Sequence, residues 1–379
     1  MAISVEQVSS RAALSDFIRL PWRIYRGNRC WVAPLVAEQR RELRPLVPPA
    51  PAGGRALLLA RENGRAAARL SLIAVPSLNA SKGAAAGYFS LFECVPDQAV
   101  ARALFEAAGA WMLSRGLSVL KGPVSPDGPH GDEQKGLLLD AFDRPPVVLT
   151  SYNPPYYREL LEAAGFEKDL DLFAYRLDKD RLFARDPGRA IDYAARRYGF
   201  RLDPIDLSQI EREIDDITRI LEVAVPAEWE DMVAPSKDEV RRLAERLRPV
   251  ADPDLVVIAR AGGQPVGFGV ALPDYNQALI HLGGRRTPLS ILRFLYHKRR
   301  IDGARIFILF VVPSFRQKGV AHAIYYRIFK VGTGKGYTWG EGSTIGEPNT
   351  RMRADIESIG GVRDKTYRIY RKRLTPPAA

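Results

Sequence analysis

Three local patterns recur in the same order in the two halves of the chain, and an internal duplication constrains a fold more than any single motif. Leu57–Leu70 is an apolar run, a turn around Gly64 and a second run, and Val256–Gly269 repeats this around Gly263. Each predicts a β-hairpin. Leu161-Glu162-Ala163-Ala164-Gly165 recurs as Ile356-Glu357-Ser358-Ile359-Gly360. Each predicts a helix end with a glycine cap, leading into a strand that finishes at Tyr175 or Tyr370. These pairs are offset by 199 and 195 residues, and a third, Val95-Pro96 against Val312-Pro313, by 217. The larger offset fits an insertion in the second half, where Arg285–Arg300 reads as an extra basic helix. The joint falls in the polar stretch Asp178–Gly188, which contains Pro187-Gly188. The expected organisation is one domain over 1–178, a linker over 179–199 and a second domain over 200–379. A length of 379 residues suits two such domains.

Each half reads as α+β, a mixed and mostly antiparallel sheet flanked by helices. In the second half, Phe200–Asp203 is a short strand. Leu207–Val223 and Ser236–Leu247 are helices, the latter opened by Ser236 as N-cap. Leu255–Ala261 and Pro265–Leu272 form the hairpin, Arg305–Val312 a buried strand and Gly319–Gly332 a helix. Tyr337–Gly342 is a strand, Pro348–Ile359 a helix, and Lys365–Leu374 closes the sheet.

Apolar residues make up 46% and charged residues 26%, enough for a core in each half. No apolar run approaches the roughly 18 residues of a membrane helix. Met1–Leu20 lacks the apolar region of a secretory signal. Cys30 and Cys94 are the two cysteines, which excludes a disulfide scaffold and a cysteine-built metal site. The expectation is a cytoplasmic protein. The whole formal surplus of +12 lies in 251–379, with 21 basic against 9 acidic residues. Such a field attracts a phosphate-bearing cofactor, an acidic carrier protein, a membrane face or nucleic acid. No recognised nucleic-acid motif or aromatic-basic platform accompanies it, so nucleic acid is set aside.

The motif that carries chemistry is Arg316-Gln317-Lys318-Gly319-Val320-Ala321. It follows an apolar strand and a Val-Pro step, and it opens an amphipathic helix. Gly319 permits a tight turn, and the next amides face outward at a helix N-terminus, where unpaired N–H groups and the helix dipole favour an anion such as pyrophosphate. Arg316 and Lys318 add charge, and Ala321 allows close approach.

At this point the chain resembles the GCN5-related N-acetyltransferase (GNAT) superfamily, whose motif is Arg/Gln-x-x-Gly-x-Gly/Ala. The resemblance covers about 200–374, and the first half is similar to a second, degenerate copy. There Val95–Val100 replaces the loop and lacks both the glycine and the basic residues, so no acyl-CoA phosphate site is expected in it. Phe17–Tyr25, Gly87–Glu93 and Tyr152–Tyr156 also resemble a bacterial tandem-GNAT family. Some of its members N-acylate long-chain amino alcohols to form ceramide.

The resemblance implies an acyl group transferred to a primary amine from acyl-CoA or an acyl carrier protein, with no metal. Phe310, Val311 and Val312 would offer backbone groups to the pantetheine arm, between splayed strands Phe307–Val312 and Tyr337–Gly342. Gln317, Lys318, Gly319, Val320, Ala321 and His322 would wrap the diphosphate, and Asn349 matches a family Asn that touches the pantetheine. The acid and base do not carry over. Many members place a Tyr seven residues after that Asn, where this chain has Ile356, and a Glu on the motif strand, where Ile306–Val312 has none. Candidates for proton transfer are therefore Glu341 near a strand end, Tyr326 and Tyr325 on the motif helix, and Glu93. Glu93 ends an apolar strand between Phe92 and Cys94, where desolvation raises a carboxyl pKa. The alternative for each is a structural role.

Tyr152, Asn153 and Tyr156, just before a helix, offer hydroxyl and amide groups to the acceptor. His130 lies in a turn-rich loop, Gly122–Leu138, long enough for a lid. With four histidines and no ligand spacing, a metal site is not expected. Leu289–Arg300 alternates apolar and basic residues, as does a solvated helix packed on the sheet by one face, or a helix lying on an anionic membrane or an acidic carrier protein; the membrane reading would place the protein peripherally at the inner membrane. Two function classes follow. One is an N-acyltransferase, with a long-chain amino alcohol among the acceptors. The other is a non-catalytic acyl-CoA-binding or regulatory module.

Overall fold

The structure is a computed structural model that describes residues 2–47, 54–126, 135–226, 229 and 233–375. The first part of the chain runs β1 (Ile3–Gln7), α1 (Arg11–Ile24), α2 (Val36–Leu43), β2 (Arg55–Glu62), β3 (Arg65–Ala74), α3 (Pro76–Lys82), β4 (Ala86–Cys94), α4 (Gln98–Leu113), β5 (Val119–Gly122), β6 (Leu137–Leu138), α5 (Tyr157–Ala163) and β7 (Glu167–Asp178). Next come α6 (Gly188–Tyr198), β8 (Phe200–Pro204), α7 (Ile210–Ala224), α8 (Lys237–Leu247), β9 (Val256–Ala261), β10 (Gln264–Pro273), α9 (Asn276–Leu279) and α10 (Pro288–Lys298). The chain ends with β11 (Gly303–Val311), α11 (Val320–Gly334), β12 (Trp339–Gly346), α12 (Thr350–Ser358) and β13 (Val362–Arg373). The α+β class holds. Among the described residues no helix is long and apolar enough to cross a membrane.

Two compact units form, and neither is contiguous in sequence. Unit 1 comprises Met1–Leu172, Asn276–Arg299 and Lys365–Ala379, and unit 2 comprises Phe173–Tyr275 and Arg300–Asp364. In unit 1 the strand order is β1-β2-β3-β4-β5-β13, with β6 also on β13. In unit 2 it is β7-β12-β11-β10-β9-β8. The order explains one departure from the sequence reading. Lys365–Leu374 does not close the second half's own sheet, because β13 pairs antiparallel with β5, Tyr370 opposite Gly122, and with β6, Tyr367 opposite Leu138. The stretch 179–199, read as a linker, contains α6, which buries none of its residues.

The duplication is visible in local geometry. Glu62 faces Arg65 across Asn63 (φ 47°) and Gly64 (φ 79°), and Ala261 faces Gln264 across Gly262 (φ 56°) and Gly263 (φ 81°). Both are two-residue turns with two positive φ values, the form whose twist matches a hairpin. In each unit the next central strand pairs in parallel with its successor, β4 with β5 and β11 with β12.

The helices that follow those strands bury one stripe each. Along α4, Val100, Leu104, Phe105, Ala108 and Met112 are buried at helical spacing. The Phe105 ring lies 5.3 Å from Phe89 and 4.7 Å from Phe166, and burying one such side chain contributes about 1.5–3 kcal/mol. Along α11, Val320, Ala323, Ile324 and Ile328 are buried. This helix presses on β10 at Gly269, where a Cβ would stand 2.5 Å from the Ile324 Cγ2. Close approach there demands glycine.

Candidate active site

In unit 2 the ladder between β11 and β12 runs from Gly303–Trp339 to Ile306–Gly342 and stops, although β11 continues to Val311 and β12 to Gly346. Against β10, the β11 register shifts between Val270 and Ala271, which face Ile308 and Ile306, so Phe307 bulges. The bulge turns the outer half of β11 away and leaves the β12-facing edges of Phe310 and Val311 outside the ladder. On the other strand the unladdered part is Ser343–Gly346, not Tyr337–Gly342 as the sequence had suggested. The Phe310 ring lies 6.2 Å from Phe268 and 6.1 Å from Trp229.

Beyond β11, the Val312 N–H donates to the Val266 carbonyl at 3.0 Å and Pro313–Phe315 make one 3-10 turn. Gln317 (φ 63°) and Gly319 (φ 80°) then reverse the chain into α11. Gly319 is the N-cap, and no side chain caps this end. The first-turn amides of Val320, Ala321 and His322 are therefore available to an anion. The equivalent end in unit 1 is built otherwise. Asp97 caps α4, its Oδ1 accepting from the N–H groups of Ala99 at 2.7 Å and Val100 at 3.0 Å. A carboxylate already occupies the place an anionic ligand would take.

The loop's side chains divide their work. The Arg316 guanidinium donates to the carbonyls of Val311 at 3.2 Å and Ala224 at 3.0 Å, tying the loop to the end of α7. The Lys318 Nζ stands 4.6 Å from the Phe315 ring centre. A ring nitrogen of His322 lies 3.3 Å from the Ser358 Oγ. Asn349 caps α12, accepting from the Met352 N–H at 3.2 Å.

In unit 1, Glu93 anchors a cluster that sequence reasoning did not assemble. Its side chain is 13% exposed. Oε2 accepts a 2.6 Å hydrogen bond from the Tyr157 hydroxyl, whose oxygen accepts in turn from the Cys94 N–H at 2.9 Å. The Tyr25 hydroxyl, which donates to the Tyr152 carbonyl at 3.2 Å, also lies near the carboxylate. The Arg69 Nη2 lies 3.9 Å from Oε1, and its Nη1 donates to the Phe17 carbonyl at 2.6 Å. Tyr25, Arg69 and Tyr157 are all buried. Burial pushes the Glu93 carboxyl up to about 7, against the opposing pull of Arg69 and the hydroxyls of Tyr157 and Tyr25. A carboxyl that titrates there, with one edge open, can accept a proton near neutral pH. Arg69 was legible as a lone charge in the apolar run Ala66–Leu70. Tyr25 and Tyr157 carried no comparable signal.

The other expected residues are placed as follows. Tyr156 is half-buried and donates to the Cys94 carbonyl at 2.7 Å. Asn153 is buried, exchanging hydrogen bonds with the Leu138 N–H at 2.7 Å and carbonyl at 3.2 Å, so it pins β6. The Tyr152 hydroxyl donates to the Phe142 carbonyl at 2.8 Å. Glu341 is buried on β12, in register with the buried Arg305 of β11. Tyr326 donates to the Asp186 carboxylate at the surface, whereas Tyr325 is buried in the core of unit 2. His130 lies outside the described residues.

No family model matches the chain. A curated relative does: the bacterial ceramide synthase of Caulobacter vibrioides (strain NA1000 / CB15N) is 31% identical over 98% of this chain and 98% of its own. The chain belongs to the family of that bacterial ceramide synthase. Solved structures share its fold, which is that of tandem GNAT proteins. A tandem GNAT protein from the clavulanic acid biosynthesis pathway matches at TM-score 0.57 and 14% identity, covering 100% of both chains. The GCN5-related glucosamine N-acetyltransferase region of a fungal multi-domain GH3 β-N-acetylglucosaminidase matches at 0.59 and 12% identity, over 98% of this chain and 38% of that one. At such identities the likeness concerns the fold alone.

Proposed function

We propose that this tandem GNAT protein is an N-acyltransferase whose acyl-CoA or acyl-carrier donor is held by the Gln317–His322 loop of unit 2. The observation that carries the reading is the contrast between two equivalent helix starts. Gly319 leaves the amides of α11 without a side-chain cap, whereas Asp97 fills those of α4. Only the former suits a diphosphate. The unladdered edges of Phe310 and Val311 would receive the pantetheine amides, and Asn349 stands at the family's position for a further contact.

The amine nitrogen attacks the thioester carbonyl, forming the C–N bond as the C–S bond breaks. One proton leaves the nitrogen and the departing thiolate takes one up. Glu93 of unit 1 is one candidate for the proton acceptor, since burial raises its carboxyl to about 7, the range a general base needs. Glu341 and Tyr326 are the remaining candidates for proton transfer, and Tyr152 and Tyr156 for contact with the acceptor. The named activity of the Caulobacter relative supports a narrower reading. The acceptor is a long-chain amino alcohol and the product an N-acylated sphingoid base.

Native mass spectrometry with acetyl-CoA and with palmitoyl-CoA tests the donor. One ligand per chain is expected, and Gly319→Glu should lose it, since a side chain and a negative charge would enter the loop at a positive φ. Binding that survives Gly319→Glu would overturn the assignment. A preference for palmitoyl-CoA and turnover of a sphingoid base would support the lipid reading, and turnover of small polar amines alone would refute it.

A further inference from the structure

We propose that α10 is a docking surface for an anionic lipid bilayer. Of the eleven large apolar side chains that stand exposed among the described residues, five lie on this one helix: Leu289, Ile291, Leu292, Leu295 and Tyr296. At about 100° per residue, Ser290, Phe294 and His297 share one stripe, and these are the helix's only residues that are not exposed. Leu292, Leu295 and Tyr296 point the opposite way, 64%, 50% and 53% exposed. Leu289 and Ile291 form the shoulders, with Arg293 and Lys298 on the two flanks and Arg299 at the end. Residues 283–300 contain six basic side chains and no acidic one.

The segment is held firmly within unit 1. Thr287 and Ser290 form a capping box at the start of α10. The Trp22 Nε1 donates to the Gly283 carbonyl at 3.3 Å, the Val36 N–H to the Gly284 carbonyl at 3.1 Å, and Arg286 pairs with Glu38. A surface helix normally turns its apolar side inward. Here the fold anchors α10 by a narrow stripe and presents leucines outward. From Leu289 to Tyr296 the helix rises about 10 Å, too short to cross a bilayer and suited to lying in its plane. Apolar side chains flanked along the helix by basic ones match the acyl boundary and anionic headgroups of a membrane face. An acidic protein surface would satisfy the charges and leave the leucines in water. This inference goes beyond the donor reading and needs no turnover, so it stands or falls separately.

Vesicle flotation of the full chain tests it. Vesicles of phosphatidylcholine containing about one-third phosphatidylglycerol should carry the protein at least tenfold better than phosphatidylcholine alone, and less well at high salt. The triple variant Leu292→Ser, Leu295→Ser, Tyr296→Ser should lose about tenfold or more of that binding. The double variant Arg293→Glu, Arg299→Glu should lose it through charge alone, so the test survives if one variant misfolds. Absence of wild-type binding to the anionic vesicles would overturn the proposal, as would variants that float like the wild type. A wild-type dimer that the triple variant converts to a monomer by light scattering would assign the face to a second copy instead.

Discussion

Glu93 shows how one side chain takes its properties from partners spread along the chain. Its raised pKa has a consequence for stability whose sign is fixed. The folded carboxyl keeps its proton up to about pH 7, while the unfolded one releases it near the ordinary 4.5. Its contribution is therefore fully present below pH 4.5 and is lost as pH rises through 7. Urea unfolding should show the wild type losing stability relative to Glu93→Gln across that window, by about 3 kcal/mol at most. A difference that stays flat between pH 5 and 8 would refute the raised pKa. For catalysis the sign reverses, because the base works only when deprotonated. The pH–rate profile should rise with an apparent pKa near 7, and Glu93→Gln should remove that limb and lower kcat roughly 10²–10⁴-fold. Tyr157→Phe deletes the hydroxyl that donates to the carboxylate, so the limb should move to higher pH.

At the scale of elements, the two helix starts divide structural from ligand-binding work. Asp97→Ala removes the cap of α4 and should cost about 1 kcal/mol in thermal or urea unfolding. It should leave acyl-CoA stoichiometry unchanged, because the loop proposed for the donor is that of Gly319. A loss of donor binding in Asp97→Ala would place the donor on the wrong helix in our reading. The Gly319 start was legible in the sequence because its glycine and the apolar spacing that follows are local signals, whereas Val95–Val100 showed only the lack of that glycine. The Ser236 cap and both hairpins were legible for the same reason. The Glu93 cluster was only half legible. Tyr25 follows α1, Arg69 lies on β3 and Tyr157 opens α5, so no spacing along the chain announces their meeting. Helix α6 was missed although Ile191, Ala194 and Ala195 fall at helical spacing and Gly199 caps its end; its stripe is only half-buried.

At the scale of the whole molecule, the local patterns recurred in sequence order, yet the compact units do not follow that order. Unit 1 requires Lys365–Arg373, from the far end of the chain, beside β5 and β6. Tyr367 and Tyr370 of that strand are buried, the Tyr370 hydroxyl donates to Glu162 at 3.2 Å, and the Lys372 Nζ donates to the Ala164 carbonyl at 2.7 Å. Without the strand, the edge of β5 and the inner face of α5 lose their cover, and an open apolar edge invites aggregation. A fragment cut at 1–178, the boundary that the repeats indicate, should therefore fail to fold cooperatively on its own. Truncating the full chain after Asp364 gives the sharper test. Hydrogen exchange should rise in Val119–Gly122 and Tyr157–Ala163 of unit 1 and change little in Val256–Ala261 of unit 2, although the deleted residues follow unit 2 in sequence. Loss of protection confined to Val256–Pro273 would mean that the last strand supports the half of the sequence it belongs to, and the interleaved units would have to be redrawn.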